Sequence, residues 1–128
     1  MKYTAFILTL LITTFTLSGF TGGEDELYTA IKTGNAKLLV SHFKSTVELT
    51  VLNSEQVSSK AQAEQILKNF FAKNPPKSFK VIHQGTSKLG IQYKIGTLTT
   101  AKGNFRITMN SKVENGKELI EQFRIDKD

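Results

Sequence analysis

The sequence predicts an α+β domain in which amphipathic helices cover one face of an antiparallel sheet. Two observations carry that reading. Apolar residues recur at helical spacing in three stretches ending at Phe71, and beyond Pro75 and Pro76 they recur at every second position. The 128 residues include no Cys, so packing alone, without disulfides, must hold the core.

The first helix runs from Glu24 to Lys32, with Leu27, Ala30 and Ile31 on one face. Glu24, Asp25 and Glu26 sit at the positive end of its dipole, Lys32 lies in its last turn, and Gly34 supplies the left-handed residue that stops it. Asn35 caps a second helix, whose Ala36, Leu39, Val40 and Phe43 follow the i, i+3, i+4, i+7 rule. Val47 to Leu52 alternates Val47, Leu49 and Val51 with Glu48 and Thr50, the pattern of a half-buried strand, and Gln56 to Ser58 forms its short return. Ser59 followed by Gln62 is a capping box. Ala63, Ile66, Leu67, Phe70 and Phe71 then give a third helix a broad apolar face. Pro75 and Pro76 end it, because the residue before a proline is pushed out of the helical region.

Four strands follow, carried by Phe79 and Val81, by Ile91, Tyr93 and Ile95, by Phe105, Ile107 and Met109, and by Leu119, Phe123 and Ile125. Turn-forming residues separate them at Gly85 to Gly90, Thr100 to Asn104 and Asn115-Gly116. Residues directly opposite one another must point to the same side, which constrains the last hairpin. A two-residue Asn115-Gly116 turn sets Ile107 against Arg124 and Met109 against Gln122, mixing the two faces. A three-residue loop from Asn115 to Lys117, or an equivalent bulge, instead pairs Ile107 with Ile125, Met109 with Phe123, Val113 with Leu119 and, on the outer face, Arg106 with Asp126. The odd-length turn is the expectation.

Residues 1–23 read as a signal peptide and residues 24–128 as one domain. Lys2 supplies a positive start, and the uncharged run from Ala5 to Leu17 is too short to span a bilayer comfortably. Small residues at Ser18, Gly19, Thr21, Gly22 and Gly23 place cleavage after Ser18 or after Gly23. The mature chain is expected to be periplasmic or secreted, without a transmembrane segment. Loss of Lys2 takes the net charge from +6 to +5, and a moderately basic exported domain draws anionic partners rather than nucleic acid.

A helical hairpin, a strand with a short partner, a longer helix and a four-stranded meander together resemble the nuclear transport factor 2-like, or cystatin-like cone, superfamily. The start Glu24-Asp25-Glu26-Leu27, the helix break Ile31-Lys32-Thr33-Gly34-Asn35-Ala36 and the close Phe123-Arg124-Ile125 are similar to those of a family of small secreted bacterial proteins, a domain of unknown function. The resemblance covers nearly all of the mature chain. It implies three N-terminal helices packed on a strongly curved antiparallel sheet of four to six strands, with a pocket between the sheet and the third helix. Members include isomerases, dehydratases, ligand-binding proteins and docking modules, so the resemblance leaves the activity open. The isomerases use an Asp base with a Tyr and a protonated Asp. Here Asp25, Asp126 and Asp128 all lie near the ends of the mature chain, and that arrangement does not carry over. The dehydratases place His and Asp in the pocket, against only His42 and His83 here.

In the preferred register Ser111 stands opposite Glu121 on the inward face, with Tyr93 on the neighbouring strand. Desolvation raises a carboxyl pKa, which is how a general base is tuned, so Glu121 is the candidate catalytic carboxylate and Tyr93 its hydrogen-bond donor. His83 is a second candidate, since it shares parity with Phe79 and Val81. The expected pocket lining is Phe70, Tyr93, Met109, Ser111, Glu121 and Phe123. The opposite face carries Lys80, Lys94, Arg106, Lys112 and Arg124, an array for an anionic surface. Ile82, Leu98 and Ile120 are its only large apolar residues, which favours a monomer over a sheet-face dimer. His42 reads as a helix-end cation. No phosphate-binding glycine loop, nucleophile elbow or metal-ligand cluster is present, and no cofactor is expected. These features point to a non-enzymatic binding module for a small apolar ligand or an envelope partner. The alternatives are a small isomerase- or hydrolase-like enzyme using a pocket carboxylate and an envelope-docking protein using the basic sheet face.

Overall fold

A computed structural model describes residues 23–128; apart from Gly23, the expected signal peptide lies outside the described residues. Helix α1 (Gly23–Thr33) is followed by α2 (Ala36–Val40), strands β1 (Phe43–Val51) and β2 (Ser54–Ser59), helix α3 (Lys60–Lys73), and then β3 (Pro76–Thr86), β4 (Gln92–Thr100), β5 (Gly103–Glu114) and β6 (Lys117–Lys127). The strands form one six-stranded sheet in the order β2-β1-β6-β5-β4-β3.

Local chemistry sets the helix ends as expected. Gly34 takes a positive φ of 68° after α1, and the Asn35 side chain accepts the Leu38 N–H at 3.0 Å. At α3 the Ser59 hydroxyl accepts the Gln62 N–H at 3.2 Å while Gln62 accepts the Ser59 N–H at 3.0 Å. α1 packs on β3 and α2, and α3 packs on α2, β1 and β2. Ile31, Leu39, Phe43, Leu67, Ile107 and Phe123 form the centre of the core between these layers and are fully buried.

The structure corrects several expectations. Only α1 and α2 precede the sheet, and α3 is inserted between β2 and β3. The sheet is mixed, because β1 lies parallel to β6 and pairs Leu49 with Phe123 and Val51 with Ile125. The chain returns through α3 to the far edge, so β6, last of the meander, arrives beside β1 running the same way. Phe43 does not extend α2. The helix closes when the Ser41 N–H and hydroxyl both bond the Leu38 carbonyl, and Phe43 opens β1 with its ring 5.4 Å from that of Phe123.

The last hairpin pairs Ile107 with Ile125, Met109 with Phe123 and Arg106 with Asp126, but by a different route from a three-residue loop. Asn115 and Gly116 both have positive φ, 51° and 75°, as a two-residue turn of the mirror-image type requires. Glu114 therefore pairs with Lys117 and Val113 with Glu118, not with Leu119. The register then shifts after Asn110, whose partner is Gln122 while the partner of Ser111 is Ile120. Glu121 is the extra residue of that bulge, and the bulge restores the parity that the even turn would otherwise lose.

The face of β4 also differs. Lys94, Gly96, Leu98 and Thr100 are its inward, buried residues, and Tyr93 and Ile95 belong to the opposite face. The pairing decides this, since Leu98 stands opposite Phe105, Gly96 opposite Ile107 and Lys94 opposite Met109, all three partners being core residues.

Candidate functional site

The β5–β6 turn, the start of α1, the junction between α2 and β1, and Lys94 of β4 enclose a cleft of about 400 Å³. Glu24 and Glu26 line it from α1, His42 from the junction, and Lys117 and Glu118 from the hairpin. A second cleft of about 230 Å³ shares Glu24, Lys94 and Glu118 with the first and adds Gln92 and Tyr93. These three shared residues therefore lie where the two openings meet.

Glu118 is the hub of the polar groups beneath. Its Oε1 accepts the Ser111 hydroxyl at 2.6 Å and lies 3.5 Å from Lys94 Nζ. With its amide nitrogen turned toward the carboxylate, Gln92 donates to the same oxygen at 2.7 Å. Ser111 and Lys94 are 4% and 8% exposed, so both belong to the interior and need these partners. Lys94 Nζ also sits 5.8 Å from the centroid of the Tyr28 ring. The Tyr28 hydroxyl donates to Glu24 at 2.7 Å. Burial, and then the adjacent Glu24 carboxylate, push the phenol well above its ordinary range and keep it protonated.

His42 is fixed by its main chain, whose carbonyl accepts the Ile120 N–H at 2.8 Å. Its Nε2 is buried 3.5 Å from Glu26 Oε1 without a hydrogen bond. Burial lowers its pKa despite the opposing pull of Glu26, so the imidazole is neutral at pH 7. Among the described residues no group of three or more His, Cys, Asp or Glu is placed to hold a metal ion.

The residues singled out from sequence are dispersed. Ser111 lies at the site, beside Glu118 rather than Glu121. Glu121, on the bulge, faces β1, where Lys44 Nζ lies 3.3 Å from it and 2.8 Å from Glu114. The bonds to Glu114 and then Glu121 raise the Lys44 pKa. Tyr93 presents its ring to Gly85 and lies 5.8 Å from the His83 ring, while the His83 side chain is exposed. β3, which carries His83, is three strands from β6. Phe70, Met109 and Phe123 are packed in the core at 5%, 2% and 0% exposure.

On the outer face Lys80, Arg106, Lys112 and Arg124 keep their expected side, but Lys94 does not. Arg106 pairs with Asp128 at 3.3 Å and Arg124 with Asp126 at 2.7 Å, so carboxylates already balance this face in part. Glu24, Tyr28, His42, Lys94 and Glu118 were not assigned to the site from sequence. The Asn115-Gly116 signal, taken literally and combined with a bulge, would have brought Glu118 toward Ser111.

The DUF4783 sequence profile, a domain of unknown function, matches residues 24–126. The chain belongs to the DUF4783 family. A DUF4783 family protein from Bacteroides fragilis is 37% identical, with a TM-score of 0.75 over 80% of this chain and 96% of that one. More distant structures share the fold alone. A domain with a cystatin-like fold from Nostoc punctiforme is 8% identical, with a TM-score of 0.66 over 83% of this chain and 73% of that one. An NTF2 design with a long sheet is 18% identical, with a TM-score of 0.65 over 80% of this chain and 95% of that one. This DUF4783 domain thus has the α+β, nuclear transport factor 2-like and cystatin-like fold that the element order resembles. No functionally curated protein matches the chain. No helix among the described residues is long and apolar enough to cross a membrane.

Proposed function

We propose that this DUF4783 protein is an exported, non-enzymatic binding module that takes a small polar ligand in the cleft between α1 and the β5–β6 hairpin. One observation carries the reading: the polar groups on the floor of the cleft are engaged with one another, and among the lining side chains only His42, in the wall, keeps a buried nitrogen without a hydrogen bond. Glu118 receives Ser111, Lys94 and Gln92, and the Tyr28 proton is donated to Glu24. A general base needs a free lone pair facing its substrate, and a nucleophile needs a base within reach. An arrangement whose members are engaged with each other suits a rigid floor better than a reacting centre.

The volume of about 400 Å³ falls in the range of about 300–1,000 Å³ typical of ligand sites. Packing at Phe70, Met109 and Phe123 supports a polar occupant at the mouth over an apolar one in the interior. The register shifts in β1, β3 and β6 are where a sheet bends, and they support a strongly curved sheet with the cleft at its open end. Export is supported by Lys2, the uncharged run from Ala5 to Leu17 and the small residues that follow.

Thermal denaturation against a panel of small polar solutes tests the binding site. A ligand of the native state should raise Tm in proportion to RT ln(1 + [L]/Kd). Glu26→Leu, at a half-exposed rim position, should remove the shift. A shift that survives this change puts the ligand elsewhere, and turnover of a bound solute makes the chain an enzyme. N-terminal sequencing of protein from its own cells should begin at residue 19 or 24, and a chain that keeps Met1 refutes export by cleavage.

A further inference from the structure

From the charges facing each other across the cleft we infer that its ligand is a small zwitterion, a free amino acid or a short peptide bearing both an ammonium and a carboxylate. The inference rests on the cleft being a binding site. Its α1 wall is acidic, with Glu24 and Glu26, and its hairpin wall carries Lys117. The floor between them is close to neutral, because Lys94 and Glu118 are paired.

Among the described residues the wall charges are not cancelled. There Glu24 accepts only the neutral Tyr28 hydroxyl. Glu26 lies 3.5 Å from His42, whose pKa burial lowers, so the imidazole offers it no full counter-charge at neutral pH. Lys117 forms no ion pair among the described residues. Opposite charges lining one cleft, each without a charged partner among the described residues, match a ligand that carries both charges.

Other ligand classes satisfy one wall at most. A simple anion meets Glu24, Glu26 and Glu118, a simple cation meets Lys94 and Lys117, and a neutral sugar leaves both walls without a counter-charge. In a partly enclosed cleft such unmatched charge costs binding energy, which a zwitterion avoids by placing its ammonium toward α1 and its carboxylate toward Lys117. The cleft exceeds the volume of a single amino acid and accommodates a dipeptide.

Titration calorimetry of the full chain at pH 7.5 and low salt, with alanyl-leucine as probe, tests this. Alanyl-leucine should bind, whereas its N-acetylated form, lacking the ammonium, and its C-terminal amide, lacking the carboxylate, should each bind at least about tenfold more weakly, a loss of about 1.4 kcal/mol. Glu26→Gln should erase the discrimination against the acetylated form, and Lys117→Met should erase that against the amide. Both side chains lie at the rim, so neither variant threatens the fold. Equal binding of free and blocked dipeptides overturns the inference, as does failure of alanyl-leucine to bind. If a neutral solute then stabilises the wild type and not Glu26→Leu, the polar binding site stands and only its zwitterion assignment falls. If nothing in either experiment binds, both fall.

Discussion

Gly96→Ala tests which face of β4 is buried, and with it the position of Lys94 at the site. A Cβ built on Gly96 lies 2.5 Å from two ring atoms of Phe79 and 2.9 Å from the Lys80 carbonyl oxygen, where ordinary contacts begin near 3.4 Å. The ring can swing aside only by giving up its packing against Tyr28, 5.7 Å away between centroids. The carbonyl is held in the β3–β4 ladder, where Lys80 pairs with Thr97. Overpacking of this kind costs about 1–3 kcal/mol. The backbone preference for Ala over Gly in a strand returns roughly 0.5–1 kcal/mol. The difference reaches about 2.5 kcal/mol, and with two ring atoms at 2.5 Å the net loss falls in the upper part of that range, about 1–2.5 kcal/mol; at about 4–8 °C per kcal/mol for a domain of this size Tm falls by about 5–20 °C. Urea unfolding should show a lower midpoint with an unchanged slope. Ile95→Ala on the opposite, half-exposed face is the control and should cost less than about 1.5 kcal/mol. If Gly96→Ala is neutral or stabilising while Ile95→Ala costs the roughly 2–5 kcal/mol of a core truncation, β4 presents its other face and the site as described does not exist.

Two further results are expected. Ser59→Ala removes the capping box of α3 and should lower unfolding free energy by about 1 kcal/mol in urea titration, whereas Ser59→Asp should retain most of it. Because burial lowers the His42 pKa, the unfolded chain binds protons before the folded one as pH falls below about 6.5, so native stability declines from there down to the folded-state pKa. Tm measured between pH 7 and pH 5 should drop less in His42→Gln than in wild type, and equal drops refute the assignment.

What was legible and what was not divide by the range of the forces involved. Ser59 and Gln62 cap α3, and Gly34 and Asn35 separate α1 from α2, through bonds between residues a few positions apart, so their chemistry is visible in the string itself. The pairs Ile107 with Ile125 and Met109 with Phe123 were legible for a related reason: each strand has one strongly apolar parity, and the two parities must coincide. β4 has no such dominance. Ile91, Tyr93 and Ile95 alternate as well as Lys94, Gly96, Leu98 and Thr100 do, and the inward set is chosen by the partner β5, not by β4. The outward reading of Lys94 and the inward reading of Tyr93 both follow from that one ambiguity.

Glu121 and Glu118 make the same point for the site. A single bulged residue reverses which side every preceding position of β6 faces. It moves the inward carboxylate from Glu121 to Glu118 and turns Glu121 toward Lys44. The sequence by itself determined the elements, most of their ends and an apolar surface for the helices to cover, because these depend on spacing and capping along the chain. Only the tertiary structure decided the parallel place of β1, the face of β4, the bulge and hence the residues that meet in the cleft. Those choices arise from pairing between segments far apart in the chain, where total burial across the sheet outweighs the local pattern of any one strand.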